Sequence, residues 1–276
     1  MILKPLLVIL AITLAVPNFI GKDINEQFSY DHLERFHPGL SSINTIDKLE
    51  QYIDGAAAGK NINVNSPEYN LLISYIISCR FYHGFSHFKL SENWIAAVSE
   101  KITGVGLSCK VQPDEIMKNP YAACSQQALV MMEILKRKHI EYRKVGFPHH
   151  YALEVKNNDN WYYFDPNMEP TMNLSQRLHQ NWNESNDSLK KFYDPVKHAN
   201  LAYQFGNGQK AEFGPVNEVP AQRVRIFQSV TGILSKILWV FPLVFLFIKR
   251  RSTSMYALRS LRKKDPPLNL QPTFSA

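Results

Sequence analysis

The chain has 276 residues, 45% hydrophobic and 20% charged, a balance too apolar for a disordered polymer and a length suited to one principal core. Its formal charge of +7 is not a phosphate-binding stripe, because residues 249–276 hold seven Lys/Arg against one acid and leave 24 basic and 23 acidic residues elsewhere. Nucleic acid is therefore not an expected partner, and three cysteines with no C-x-x-C spacing exclude a disulfide-knit mini-fold and a zinc ribbon, so no metal or cofactor is expected.

Residues 1–21 form the first segment: Leu6 to Val16 run without a charge behind Lys4, the length of a signal-peptide core and short of the ~20 residues that span a bilayer. Cleaved signal and retained N-terminal anchor are both open on this pattern. Residues 22–66 read as an N-terminal helical segment, in which Ile46, Leu49, Tyr52 and Ile53 recur at helical spacing and Gly55 closes the helix. Ser66-Pro67-Glu68 starts a second helix, Tyr69 to Tyr82, which stops before Gly84 and is apolar on most sides, hence buried. A third begins at Ser91 and carries Trp94, Ile95 and Val98. Gly55-Ala-Ala-Ala-Gly59-Lys60 is one residue short of a phosphate loop and is followed by Asn61 rather than Ser or Thr. His83 and His87, four apart, lack a third metal ligand and read as loop or core histidines.

Pro120 precedes the strongest helical pattern, with Ala128, Met131, Met132 and Leu135 on one face and Lys136-Arg137-Lys138-His139 where cations complement the dipole. Cys124 falls in its first turn, beside unpaired backbone N–H groups. A thiolate is the nucleophilic form of cysteine, and helix N-termini with a nearby imidazolium favour it. Two histidines follow, His149 and His150, at the start of extended runs His150–Lys156 and Trp161–Asp165 separated by Asn157-Asn-Asp-Asn. That turn makes an antiparallel hairpin. Centring it on 157–160 pairs Lys156 with Trp161, which puts His150 and Asp165 on one face as diagonal neighbours, ~7–8 Å apart between backbones, and turns His149 to the other. A carboxylate on one imidazole nitrogen fixes the tautomer that a thiol partner needs. Cys124, His150 and Asp165 are the candidate catalytic residues, and helix followed by antiparallel strands makes the fold class α+β.

Residues 201–225 read as a polar connector. Val230 to Ile248 is a nineteen-residue apolar run broken by Lys236 and closed by Lys249-Arg250-Arg251, which predicts a transmembrane helix over 226–248 and a basic cytoplasmic tail over 249–276, with Lys236 near enough to the outer interface to snorkel. The positive-inside rule then places the core domain on the extracytoplasmic side. There Cys79 and Cys109 either pair or stay as free thiols.

The motifs Tyr121-Ala-Ala-Cys124-Ser-Gln-Gln, Arg143-Lys-Val-Gly, His150-Tyr-Ala-Leu-Glu-Val and Trp161-Tyr-Tyr-Phe-Asp165-Pro together resemble the transglutaminase-like superfamily of papain-like cysteine enzymes, in a membrane-anchored form of bacterial type. The resemblance covers 119–168 closely and 67–118 more loosely, and implies a catalytic core over 67–200 in which the cysteine-bearing helix packs on an antiparallel sheet. It implies Cys124 as nucleophile, His150 as general base and acid, Asp165 as the orienting carboxylate, and a protein or peptide substrate whose amide carbonyl forms a thioester that passes to an amine or to water. The cross-linking members use an indole upstream of the cysteine as an oxyanion donor, which makes Trp94 the candidate. The papain-like glutamine is absent, Lys118 standing six residues upstream, and a catalytically inactive module that binds protein or cell-envelope polymer is the alternative.

Overall fold

The computed structural model describes residues 3–25, 28–198, 200–246 and 248. Helix α1 (Leu3–Ala15) passes into a 3-10 turn at Val16–Phe19. Helix α2 (Ile46–Gly59) starts where the Thr45 hydroxyl accepts the Lys48 N–H at 3.3 Å and buries Ile46, Leu49, Ile53 and Ala57. It does not stop at Gly55 as the sequence suggested. Ala56 to Ala58 are strong helix formers, and buried Ala57 extends the apolar face by another turn, which outweighs about 1 kcal/mol for one interior glycine.

Helix α3 (Pro67–Arg80) is buried on several sides, including Tyr69, Ile73 and Ile77. Helix α4 (Leu90–Thr103) kinks at Asn93, whose φ/ψ is −154/80, and ends at left-handed Gly104 with φ +68. A single turn, α5 (Pro113–Ile116), leads to α6 (Cys124–Arg137). Strands β1 (Tyr142–Gly146), β2 (Tyr151–Asn157) and β3 (Asn160–Phe164) follow. Short helices α7 (Leu174–Arg177), α8 (His179–Trp182), α9 (Asn186–Lys190) and α10 (Leu201–Phe205) precede β4 (Glu212–Phe213) and α11 (Gln222–Ile237). The sheet is antiparallel with order β3-β2-β1-β4.

One face of the sheet, with Leu153, Val155 and Phe164, packs against α2, α3 and α6. The other, with Val145, Ala152 and Tyr163, packs under Trp182, Leu189, Tyr193 and Phe205. Each of these large side chains contributes about 1.5–3 kcal/mol on full burial, so both layers are needed to hold the hairpin between them.

Two segments depart from their sequence pattern. Residues 201–225 are not a mere connector, because Phe205 and Ala211 enter the second core layer and β4 pairs with β1 through Val145↔Phe213. Nor do residues 226–248 form one transmembrane helix. Among the described residues no single helix is long and apolar enough to cross a membrane, since α11 breaks after Ile237 and resumes at Val240–Leu246 with a bend of 46°. Only the bent pair together meets length and composition for a span. The basic tail 249–276 lies outside the described residues.

Candidate active site

The start of α6 is fixed by long-range bonds together with one local cap, the Gln126 side chain on the Ala123 N–H. Buried Arg80 donates to the carbonyls of Met117 and Asn119 at 2.8 and 3.1 Å, and to those of Ile43 and Ser41, with burial pushing its pKa down to about 10. The next residues form a short bridge between Tyr82 and Tyr121, in which the Tyr82 N–H donates to Pro120 and the Ala122 N–H to Tyr82. Gln126 then ties three segments together. Its Oε1 accepts the Ala123 and Ser86 N–H groups at 3.1 and 2.9 Å, and its Nε2 donates to the Ser86 and Lys110 carbonyls at 2.9 and 2.8 Å. Cys124 is thereby held as the first residue of α6, half-buried, where helix geometry leaves backbone N–H groups without intrahelical partners.

His150 stands immediately before β2 and Asp165 immediately after β3. The hairpin pairs Leu153 with Phe164 and Lys156 with Trp161, the register derived from the turn, and the side chains meet with His150 Nε2 2.7 Å from Asp165 Oδ2. His149 is exposed and lies flat on Tyr203 at 3.8 Å between ring centroids. Phe147 and Phe205 press on the His150 ring at 6.1 and 5.1 Å.

Burial alone would lower the His150 pKa, but the charge and hydrogen bond of Asp165, with smaller contributions from the Cys124 side chain, raise it to about 10. Burial would likewise raise Asp165, yet the His150 charge and bond, the Met168 N–H and the Tyr193 hydroxyl bring its pKa below the ordinary carboxylate value. The carboxylate is saturated: Oδ2 accepts from His150 and from Tyr193 at 2.8 Å, and Oδ1 accepts the backbone N–H groups of Asn167 and Met168 at 3.1 and 3.0 Å. Because Nε2 faces the acid, Nδ1 is the nitrogen left for the sulfur. The arrangement is a thiol at a helix start, an imidazolium-forming base beside it, and a buried carboxylate that fixes the base.

The structure thus brings Cys124, His150 and Asp165 together. It does not bring Trp94 to them. The Trp94 indole N–H donates to the carbonyl of Ser235 in α11 at 3.1 Å, so the donor an oxyanion would need is already engaged elsewhere, and the oxyanion assignment is withdrawn. Sequence reading also missed several neighbours. Tyr193 supports Asp165 from the turn after α9 and is bonded to Tyr163 at 2.8 Å. His83 borders the site, where lost solvation first and the His150 charge second lower its pKa, while a bond to Asn167 opposes the shift. His87 goes elsewhere, to Ser108 at 3.1 Å. Nothing local signalled these roles; only the bridge between Tyr82 and Tyr121 carries His83 there. Cys79 and Cys109 are free thiols, and burial pushes the Cys109 pKa up to about 12. Among the described residues no group of three or more His, Cys, Asp or Glu side chains could hold a metal ion.

Comparison of the chain with protein-family models, curated proteins and solved structures returns no match.

Proposed function

We propose that the protein is a membrane-anchored cysteine enzyme of transglutaminase-like type, acting on the amide bond of a protein or peptide through a thioester. The reading rests on one observation, the buried His150–Asp165 pair set beside a cysteine at a helix start. In the scheme, His150 holds the Cys124 proton on Nδ1 as an imidazolium beside the thiolate, and the sulfur bonds to the substrate carbonyl carbon. The backbone N–H of Cys124 faces the developing oxyanion. His150 returns the proton to the leaving amine as the C–N bond breaks, and an amine or water deprotonated by the same imidazole releases the acyl group and restores the thiol. Asp165 keeps its proton off throughout. The apolar segments at both ends, which leave Leu6, Ile9, Ile226 and Ile233 exposed, support the anchored form, and the basic run that opens with Lys249 is the ground for a core domain extracytoplasmic and a tail cytoplasmic.

An iodoacetamide-alkyne probe applied to intact cells, followed by mass-spectrometric assignment, tests the reading. Labelling at Cys124 that disappears in Cys124→Ala and falls in His150→Ala is the expected result. Unchanged labelling of Cys124 in His150→Ala would discard the enzyme in favour of a docking module.

A further inference from the structure

Helix α11 is folded inside out. Its buried residues are polar, Gln228, Thr231 and Ser235, whereas Ile226, Val230, Ile233 and Ile237, spaced four, three and four apart on the opposite face, are between 42% and 64% exposed. A surface helix in water has the reverse arrangement. The polar stripe is not idle. Asn93 Nδ2, aimed by the kink in α4, donates to the Gln228 carbonyl at 3.2 Å and to Thr231 Oγ1 at 3.0 Å. Gln228 Nε2 donates to the carbonyls of Leu107 and Cys109 at 3.1 and 2.7 Å, and its Oε1 accepts the Val111 N–H at 3.3 Å. Lys236, the one charged side chain between Ile226 and Ile248, turns back to the Ser91 carbonyl.

The second terminal helix joins at the same place. Ser235 sits one turn before the 46° bend, and its carbonyl takes two side-chain donors, Trp94 Nε1 at 3.1 Å and Asn18 Nδ2 at 2.9 Å. Asn18 lies in the 3-10 turn that follows α1, whose only buried residue is Ala11 and whose Leu6, Ile9 and Ile12 are more than half exposed. Helix α1, apolar but for Lys4 and Thr13, is thereby tied to α11 through the turn that carries Asn18, and the two helices present their exposed apolar residues from one junction.

We infer that α1 and the outward stripe of α11 form a single lipid-facing clasp, closed at the Ser235 carbonyl, that seats the domain on the bilayer with the polar stripe of α11 turned into the protein. The occupant is lipid rather than a second copy because the apolar character continues past the bend through Phe241, Val244 and Phe245, all exposed, without a charge until the basic run that opens with Lys249. The inference rests on the membrane half of the reading above and not on its chemistry. It also places the site. Segment 107–111 is gripped by Gln228 of α11 on one side and by Gln126, in the first turn of α6, on the other, so the nucleophile stands one backbone segment from the lipid-facing helix and meets acyl donors presented at the membrane plane.

The test is carbene labelling of the full chain in phosphatidylcholine membranes that contain a diazirine-bearing phospholipid, with adducts mapped by residue. Adducts on Ile226, Val230, Ile233 and on α1, and at least tenfold fewer on Gln228, Thr231 and Ser235, are expected. In the double variant Asn18→Ala, Trp94→Phe the contrast between the two faces should diminish as the clasp loosens. Adducts on both faces of 222–237 in the unaltered chain would overturn the inference in favour of an independent span. Cross-links between copies at residue 233 with no lipid adducts would assign the stripe to a second copy. Cys124 labelling, read in the same samples, reports separately on the enzyme.

Discussion

Asp165→Asn separates a working triad from a merely buried ion pair. The Oδ1 position must remain an acceptor, since the Asn167 and Met168 N–H groups point at it, so the new amide NH2 takes the Oδ2 position opposite His150 Nε2. Two donors cannot share that contact. Without the Asp165 charge the imidazole reverts to a neutral ring, and its one proton must sit on Nδ1, the nitrogen that faces the sulfur, so that it can no longer accept the thiol proton. Loss of the right tautomer costs about 10⁴-fold in turnover in the serine-protease precedent, and a fall of about 10³ to 10⁴ is expected here for any acyl donor.

The same substitution has a stability signature. A histidine raised from 6.5 to about 10 carries roughly 4–5 kcal/mol of preference for its protonated form in the fold, in line with about 3–5 kcal/mol for breaking a buried pair. The raised His150 contributes stability that is fully present below its unfolded pKa of 6.5 and fades as pH climbs to about 10. The depressed Asp165 contributes stability above its ordinary 3.8 that fades as pH falls through its lowered value. The difference between wild type and variant is therefore greatest from about pH 4 to 6.5 and shrinks towards pH 10. His83 and His198 feel Asp165 and His150 with opposite sign, so the loss of both charges in the variant changes their titration in offsetting directions. Urea unfolding at pH 5.5 and pH 9.5 measures the difference. A gap below about 1 kcal/mol at pH 5.5, or one that does not narrow at pH 9.5, would refute the electrostatic account.

Iodoacetamide at pH 7 should modify Cys124 ahead of Cys79 and Cys109, because burial raises the pKa of both of the latter; peptide mapping that finds either labelled first would contradict the assignment. Tyr193→Phe removes one donor from Asp165 and leaves the Tyr163 hydroxyl without its partner, which should cost about 1–2 kcal/mol in a thermal melt and move the acid limb of the pH–stability curve upward. Gln126→Leu strips buried Ser86 and Lys110 backbone groups of their bonds and should destabilise by about 2–4 kcal/mol in urea. Trp94→Phe should leave turnover unchanged and weaken only the docking of α11, read by hydrogen exchange over 222–237; a loss of kcat with unaltered exchange would restore the indole to the oxyanion.

The legible part of the site was the part with short-range logic. A two-residue period and a polar turn place His150 and Asp165 on one face of a hairpin, and that follows from the pleat alone. Cys124 was legible as the start of a helix, although most of the bonds that hold the start, from Arg80, Gln126 and the Tyr82 backbone, join positions 37 to 40 residues apart. The α2 helix overran Gly55 because burial of Ala57, a tertiary gain, exceeds a local preference. Residues 201–213 looked like linker since two-residue β4 and five-residue α10 are too short to show a period.

What the residues determine by themselves is which positions can share a face, since helix and strand periods are properties of the backbone, and how apolar each end is. What only packing decided is where each polar group finds its partner: the carbonyl of Ser235, next to a bend, drew the Trp94 indole away from the cysteine, and the polar stripe of α11 turned inward to Asn93. Hydrogen-bond demand in a buried setting is settled by the nearest satisfiable atom in space, and chain position carries no measure of that distance.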